Sequence, residues 1–262
     1  TPGLDAPAAI ALLHRLGYRT RGAPPGRVWG LKHRLAGLGT WLFHGSFFVL
    51  AAGLCTTLAF REEFRLVTVV GEDFTGDSTQ VLSRHGSPLV SLGLPEVRFT
   101  HRQLEPEFWN DELLFTRLVS TLRLADGAEA ETAINRPLWL GFGVFLRLTG
   151  FGYAPRYELL ANDGHLVESS FLRMNVFPPG QRDFFRLQNY PHRVYLQLFP
   201  DLEVVDGRAG TRSMNLVNPG FVVRVVRGHL DLGERLLRAG EGFQYEAVHL
   251  RFPEVRYWGE FV

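Results

Sequence analysis

His44 is the residue with the most chemistry open to it. Of the ionisable side chains that are expensive to place in lipid, it is the one found in residues 35–60, a run of twenty-six without Asp, Glu, Lys or Arg. A neutral imidazole in such a setting can serve as a cofactor ligand or a proton relay. It can also simply hydrogen-bond to a neighbouring helix or sit near the membrane interface. The other titratable groups give weaker signals. His85, His101, His165, His192, His229 and His249 follow the run at spacings that fit no metal site, so each is expected to be solvated or held by one hydrogen bond. Glu62-Glu63 and the pair Glu105 and Glu107 are expected on exposed surface. The single cysteine, Cys55, excludes an internal disulfide and a cysteine metal cluster, and within the apolar run it reads as a small buried hydrophobe. The chain contains no phosphate loop, Gly-x-Ser-x-Gly elbow, His-Glu-x-x-His or Cys-x-x-Cys, so the sequence does not support catalysis by this chain alone.

The element that must carry His44 is a helix. A bilayer core of about 30 Å needs roughly 20 residues at a rise of about 1.5 Å each, so residues 36–60 are predicted to be a single transmembrane helix. Arg15, Arg19, Arg21, Arg27, Lys32 and Arg34 precede the run, whereas Arg61 and Arg65 follow it among Glu62, Glu63, Glu72 and Asp73. The positive-inside rule then makes residues 1–35 a cytoplasmic segment and puts residues 61–262 outside the cytoplasm. Gly37, Gly39, Gly45 and Gly53, with Ser46, Ala51 and Ala52, offer small surfaces that another helix can approach closely. The overall charge of +1 excludes the dense basic surface of a nucleic-acid binder. The chain begins with Thr1 and lacks a signal-peptide pattern, so it is expected to be a piece of a longer protein.

After the helix the pattern changes to β-branched and aromatic runs broken by Gly, Pro, Asn and Asp. Residues 64–70 read as the first strand. Residues 114–124 and 129–134 flank Asp126-Gly127, while 153–161 and 165–174 flank Asn162-Asp163-Gly164; both pairs are predicted hairpins, since these turns supply positive φ. Further strands are expected at 138–148, 194–199, 221–226, 246–252 and 255–262, with helical spacing only around 232–238 and a long loop or seam at 177–180. The predicted class is mainly β: one transmembrane α-helix followed by an antiparallel β-sandwich or open-barrel extracytoplasmic domain. Trp41, Trp109, Trp139 and Trp258 are unclustered and are expected to serve in core or interface packing.

Asn135-Arg-Pro-Leu138, with Gly141, Gly143, Gly150 and Tyr153, reads structurally as a bulged, bent strand pair. Together with the segment from Gly39 to His44, Gly53, and an extended stretch ending Val-Gly-Glu-Asp-Phe at Phe74, it resembles the ResB-like (CcsB-like) cytochrome c biogenesis family over about residues 10–175. The resemblance implies an accessory, non-catalytic subunit of a membrane haem export and cytochrome c synthase complex. Its implied partners are a haem-presenting multi-span membrane subunit, apocytochrome c and the lipid bilayer. Its implied location is the cell inner membrane, with the large domain on the periplasmic side. Haem is the implied, transiently bound cofactor. The family's histidine in the corresponding span matches His44, which becomes the expected ligand of the haem iron. Family members have further spans, and here one is seen. The alternative is a membrane-anchored β-domain that binds a protein partner without haem.

Overall fold

The chain changes structure where its residue pattern changes, at Arg61. The computed structural model describes residues 5–21, 27–33, 35–87, 93–109, 114–141, 143–175, 180–188, 190–246 and 248–262. It divides into two units, Thr1–Arg61 with Ser87–Val90, and Glu62–Gly86 with Ser91–Val262.

In the first unit, α1 (Ala6–Arg15) opens with Pro7 and closes with His14 and Arg15, whose charge suits the carbonyl end of a helix. This helix was not anticipated from the sequence. A short hairpin follows, β1 (Arg19–Arg21) and β2 (Trp29–Leu31). Next comes α2 (Ala36–Phe60), which ends as Arg61 turns to extended backbone. Its 25 residues span roughly 37 Å at ~1.5 Å each, and its exposed apolar side chains face in every direction. This is a helix long and apolar enough to cross a membrane. Cys55 lies on this helix, exposed like the apolar side chains around it.

The second unit is mainly β. Its first strands are β3 (Glu62–Val69), β4 (Asp73–Phe74), β5 (Val81–Gly86), β6 (Phe99–Phe108), β7 (Phe115–Leu124), β8 (Glu129–Ala133), β9 (Leu138–Gly141) and β10 (Val144–Leu146). The middle of the chain supplies β11 (Leu148–Ala161), β12 (Leu166–Phe171), β13 (Met174–Asn175), β14 (Asp183–Arg186), β15 (His192–Phe199), β16 (Leu202–Val205) and β17 (Arg208–Thr211). The last are β18 (Gly220–Arg227), β19 (Leu230–Arg238), β20 (Gly242–Tyr245), β21 (Val248–Arg251) and β22 (Val255–Phe261).

All ladders between these strands are antiparallel. The long strand β11 organises the largest sheet, pairing with β22, β21, β12 and β13 along its length, while β22 passes the sheet on to β3 and β5. Two four-stranded sheets, β4-β6-β7-β8 and β14-β15-β18-β19, contribute to the same core. Leu118 and Leu122, Leu159 and Phe261, and Val194 and Phe221 are all fully buried in it. Each such side chain is worth about 1.5–3 kcal/mol relative to exposure. Among the described residues no sheet is seen to close into a barrel or sandwich.

The two turn-directed hairpins form as β7-β8 and β11-β12, and the expected strands at 194–199, 221–226 and 255–262 are present with small shifts of boundary. Two expectations are corrected. Residues 138–148 are not one strand, because positive φ at Gly141 and Gly143 reverses the chain and folds β9 against β10. Residues 232–238 belong to strand β19, not a helix. Of the 177–180 stretch, residues 177–179 lie outside the described residues. Trp258 is a core residue, whereas Trp41, Trp109 and Trp139 are exposed.

The resemblance block finds its packing role through Tyr153. Its ring is buried and its hydroxyl donates to the Met214 carbonyl at 2.6 Å. Tyr153→Phe leaves that carbonyl without its donor and is expected to cost about 1–2 kcal/mol. A lower urea midpoint with an unchanged denaturant slope checks this.

Candidate functional site

A polar side chain on a helix in lipid can be satisfied by a carbonyl of its own helix one turn back. Ser46 Oγ donates to Phe43 O at 2.6 Å, Thr56 Oγ1 to Ala52 O at 2.8 Å, and Thr57 Oγ1 to Gly53 O at 2.9 Å. His44 follows the same rule with one ring nitrogen: Nδ1 lies 2.8 Å from Thr40 O, one turn back. A carbonyl only accepts, so Nδ1 carries the proton in this arrangement. In the neutral ring Nε2 then holds a lone pair, and it has no partner among the described residues. The ring is exposed on the helix, with Phe43 edge-on at 5.5 Å. Nothing within 4 Å would meet a Cβ at the neighbouring Gly45. The arrangement is an oriented, uncovered imidazole on an apolar helix, with one ring nitrogen held and the other open.

The histidines of the β unit are solvated or held at one ring nitrogen as expected at His85, His165, His229 and His101, and His192 departs from this. His85, His165 and His229 are exposed, and His165 Nδ1 lies 2.5 Å from the Asp163 carboxylate. His101 and His192 are buried. His101 sits under Gly259, edge-on to Phe261 at 5.3 Å. Its Nδ1 is 3.0 Å from Thr68 Oγ1 and 3.2 Å from Thr68 O, while Nε2 is buried without a partner. Burial pushes its pKa down to about 4, so this is a neutral core imidazole.

His192 Nε2 lies 3.2 Å from a Glu246 oxygen, and Arg227 holds the other oxygen at 2.7 Å. Glu246 has a φ of +48°, a costly conformation for a residue with a Cβ. Tyr245 stands edge-on to His192 at 5.2 Å, and burial raises its hydroxyl pKa. The Arg227–Glu246 pair ties the β20-β21 turn to the end of β18, and His192, at the start of β15, packs beside it with neither ring nitrogen in a hydrogen bond among the described residues. Linear spacing gave no sign of this cluster, because its members come together only through strand pairing.

Three of the four carboxylates in the acidic pairs form ion pairs, and Glu105 is held by a neutral amide. Glu62 Oε1 accepts from Arg84 at 2.7 Å, Glu63 is 4.0 Å from Arg147, Glu107 accepts from Arg117 at 2.5 Å, and Glu105 accepts from Gln103 at 2.6 Å. Glu105 and Glu107 are exposed as expected, but the Glu62 side chain is only 5% exposed. A groove of about 450 Å3 is lined by Glu72, Asp73, Gln80, Ser170 and Arg173 among others. No group of three metal-ligating side chains occurs among the described residues.

The fold and site define a class: a mainly β domain following one membrane-length apolar helix that presents a single oriented imidazole. Comparisons with protein-family models, curated proteins and solved structures find no match for this chain.

Proposed function

We propose that this chain is the accessory subunit of a membrane haem export and cytochrome c synthase complex, in which His44 ligates haem iron within the bilayer. The observation that carries this reading is the His44–Thr40 hydrogen bond, which fixes the ring and leaves Nε2 as the donor atom. The motif resemblance from Gly39 to Tyr153 supports it independently. When bound, haem supplies the iron that the imidazole ligates and the macrocycle that is joined to apocytochrome c by thioethers. The chain's own contribution is to orient one base and, through the apolar surface of α2, to accommodate the porphyrin.

In this reading α2 sits in the cell inner membrane, with residues 1–35 cytoplasmic and 61–262 periplasmic. The arginine-rich flank supports that direction. A multi-span subunit presents haem beside α2, and the β-rich domain positions apocytochrome c. We read that domain as an antiparallel sandwich or open barrel, which the main core cluster shared by its largest sheets supports.

The test is the visible absorption spectrum of the chain purified in detergent with its membrane partner. The haem band is expected in wild type, lost in His44→Ala and restored to that variant by added imidazole. Unchanged haem content in His44→Ala would remove this residue from the site.

A second reading, a membrane-anchored β-domain that binds a protein partner without haem, is favoured by exposed apolar residues at one end of β6 and β7. Trp109 and Leu114 are 59% and 68% exposed there. Absence of haem from every sample would select it.

A further inference from the structure

The β9-β10 hairpin exposes two aromatic rings, and the residue that follows it lies against a residue just beyond the end of α2. Its register sets Leu138 opposite Leu146 and Trp139 opposite Phe145. Strand alternation sends the two pairs to opposite faces. Leu146 is buried in the core, while Trp139 and Phe145 are 57% and 52% exposed, with their rings edge-on at 4.3 Å. Two large aromatics packed together on one exposed face form a small apolar patch at the surface.

The position of the hairpin indicates what covers this patch. Arg147, directly after β10, exchanges backbone hydrogen bonds of 2.8 and 2.9 Å with Val262, and its guanidinium lies 4.0 Å from Glu63. Glu63 is three residues beyond Phe60, the last residue of α2. Three residues of extended chain reach at most about 11 Å. The base of the hairpin is therefore tethered close to the end of the apolar span. Arg65, 3.5 Å from Glu260, and Arg147 keep half-exposed side chains in the same region, available to lipid phosphates.

We propose that the β9-β10 hairpin docks on the surface of the bilayer that α2 enters, with Trp139 and Phe145 in the lipid interface and Arg147 and Arg65 at the phosphates. Tryptophan suits this place because its ring is largely apolar and its indole N–H needs a polar neighbour. The docking fixes the β-rich domain at two points, the covalent link to α2 and the hairpin. It rests on α2 crossing the membrane and is independent of any haem ligation.

The experiment uses the whole chain in phosphatidylcholine and phosphatidylglycerol vesicles. In a Cys55→Ser background, nitroxide labels are placed at Trp139→Cys, Phe145→Cys and, as a control, Val204→Cys, which is 50% exposed on the β16-β17 hairpin. Labels at 139 and 145 are expected to show a several-fold loss of collisions with a water-soluble nickel chelate relative to 204, with oxygen collisions prevailing. Equal nickel access at all three sites would overturn the proposal and leave the rings for a protein partner. Should the cysteine variants not fold, tryptophan quenching by brominated lipid chains decides the matter in wild type against Trp139→Phe. A smaller quenched fraction in the variant supports docking, and an equal fraction overturns it.

Discussion

Lowering the pH from 6.5 to about 4 is expected to remove roughly 3 kcal/mol from the stability of the β-rich unit through one side chain, His101. In the folded chain its pKa falls from 6.5 to about 4, chiefly because the ring is withdrawn from water. Backbone hydrogen bonds with Thr68 and Gln103 favour the protonated ring and offset only part of that effect. Between these two pH values the unfolded chain binds the proton and the folded chain does not, so acid favours unfolding. The stabilisation is fully present above pH 6.5 and is lost progressively as the pH falls toward 4. Urea midpoints across this window measure it, with His101→Leu as the control that cancels the titration of carboxylates common to both proteins. The stability of wild type relative to the variant should fall by the stated amount on acidification. Parallel profiles would show that His101 is hydrated or already charged.

The buried position of His101 was not legible from its neighbours in sequence. The segment Phe99-Thr-His-Arg-Gln103 gives no clear alternation, because β6 carries a register shift between His101 and Gln103. The ring is enclosed by residues distant in sequence, Thr68 and Gly259. A glycine opposite a bulky ring is a useful sign of such an arrangement, but only after strand pairing is known. By contrast, the limits of α2 could be read directly, since a bilayer-length helix is written as an absence of charge that runs from residue 35 to residue 60. The hairpins at Asp126-Gly127 and Asn162-Asp163-Gly164 were also readable, because positive φ at Gly127 and Gly164 is a local demand that the sequence meets locally. Strand β19 misled for the opposite reason. It is an edge strand with mostly exposed side chains, so nothing enforces alternation, and Leu232, Leu236 and Leu237 fall by chance at helical spacing. For the candidate site, the identity of His44 was visible in sequence. The choice of which nitrogen is free was not, since it depends on the reach of Nδ1 to Thr40 O.

Gly152→Ala should destabilise the β-rich unit by roughly 3 kcal/mol, whereas Gly150→Ala, two residues earlier on the same face of β11, should be neutral to within about 1 kcal/mol. Gly152 pairs directly with Trp258 on β22, whose indole folds over the glycine and donates to Met174 O at 2.8 Å. A Cβ at Gly152 would come within 2.6 Å of Trp258 Cε2 and closer still to Met174 O. The second contact is with backbone, so relief requires moving β13, which is paired to β11 at this point. That movement sacrifices the Trp258 hydrogen bond and the Tyr153–Met174 pairing in addition to the overpacking itself. At Gly150 the nearest atom to an added Cβ is Glu260 Cβ at 3.7 Å, an ordinary contact, and alanine recovers some of the entropy that glycine costs in a strand. Chemical denaturation of the two variants separates a glycine required by close approach from one that the strand merely tolerates. Equal effects at the two positions would mean that β13 and the indole of Trp258 yield without cost. In that case the junction at which β11 meets β13 and β22 would be softer than its hydrogen bonds imply.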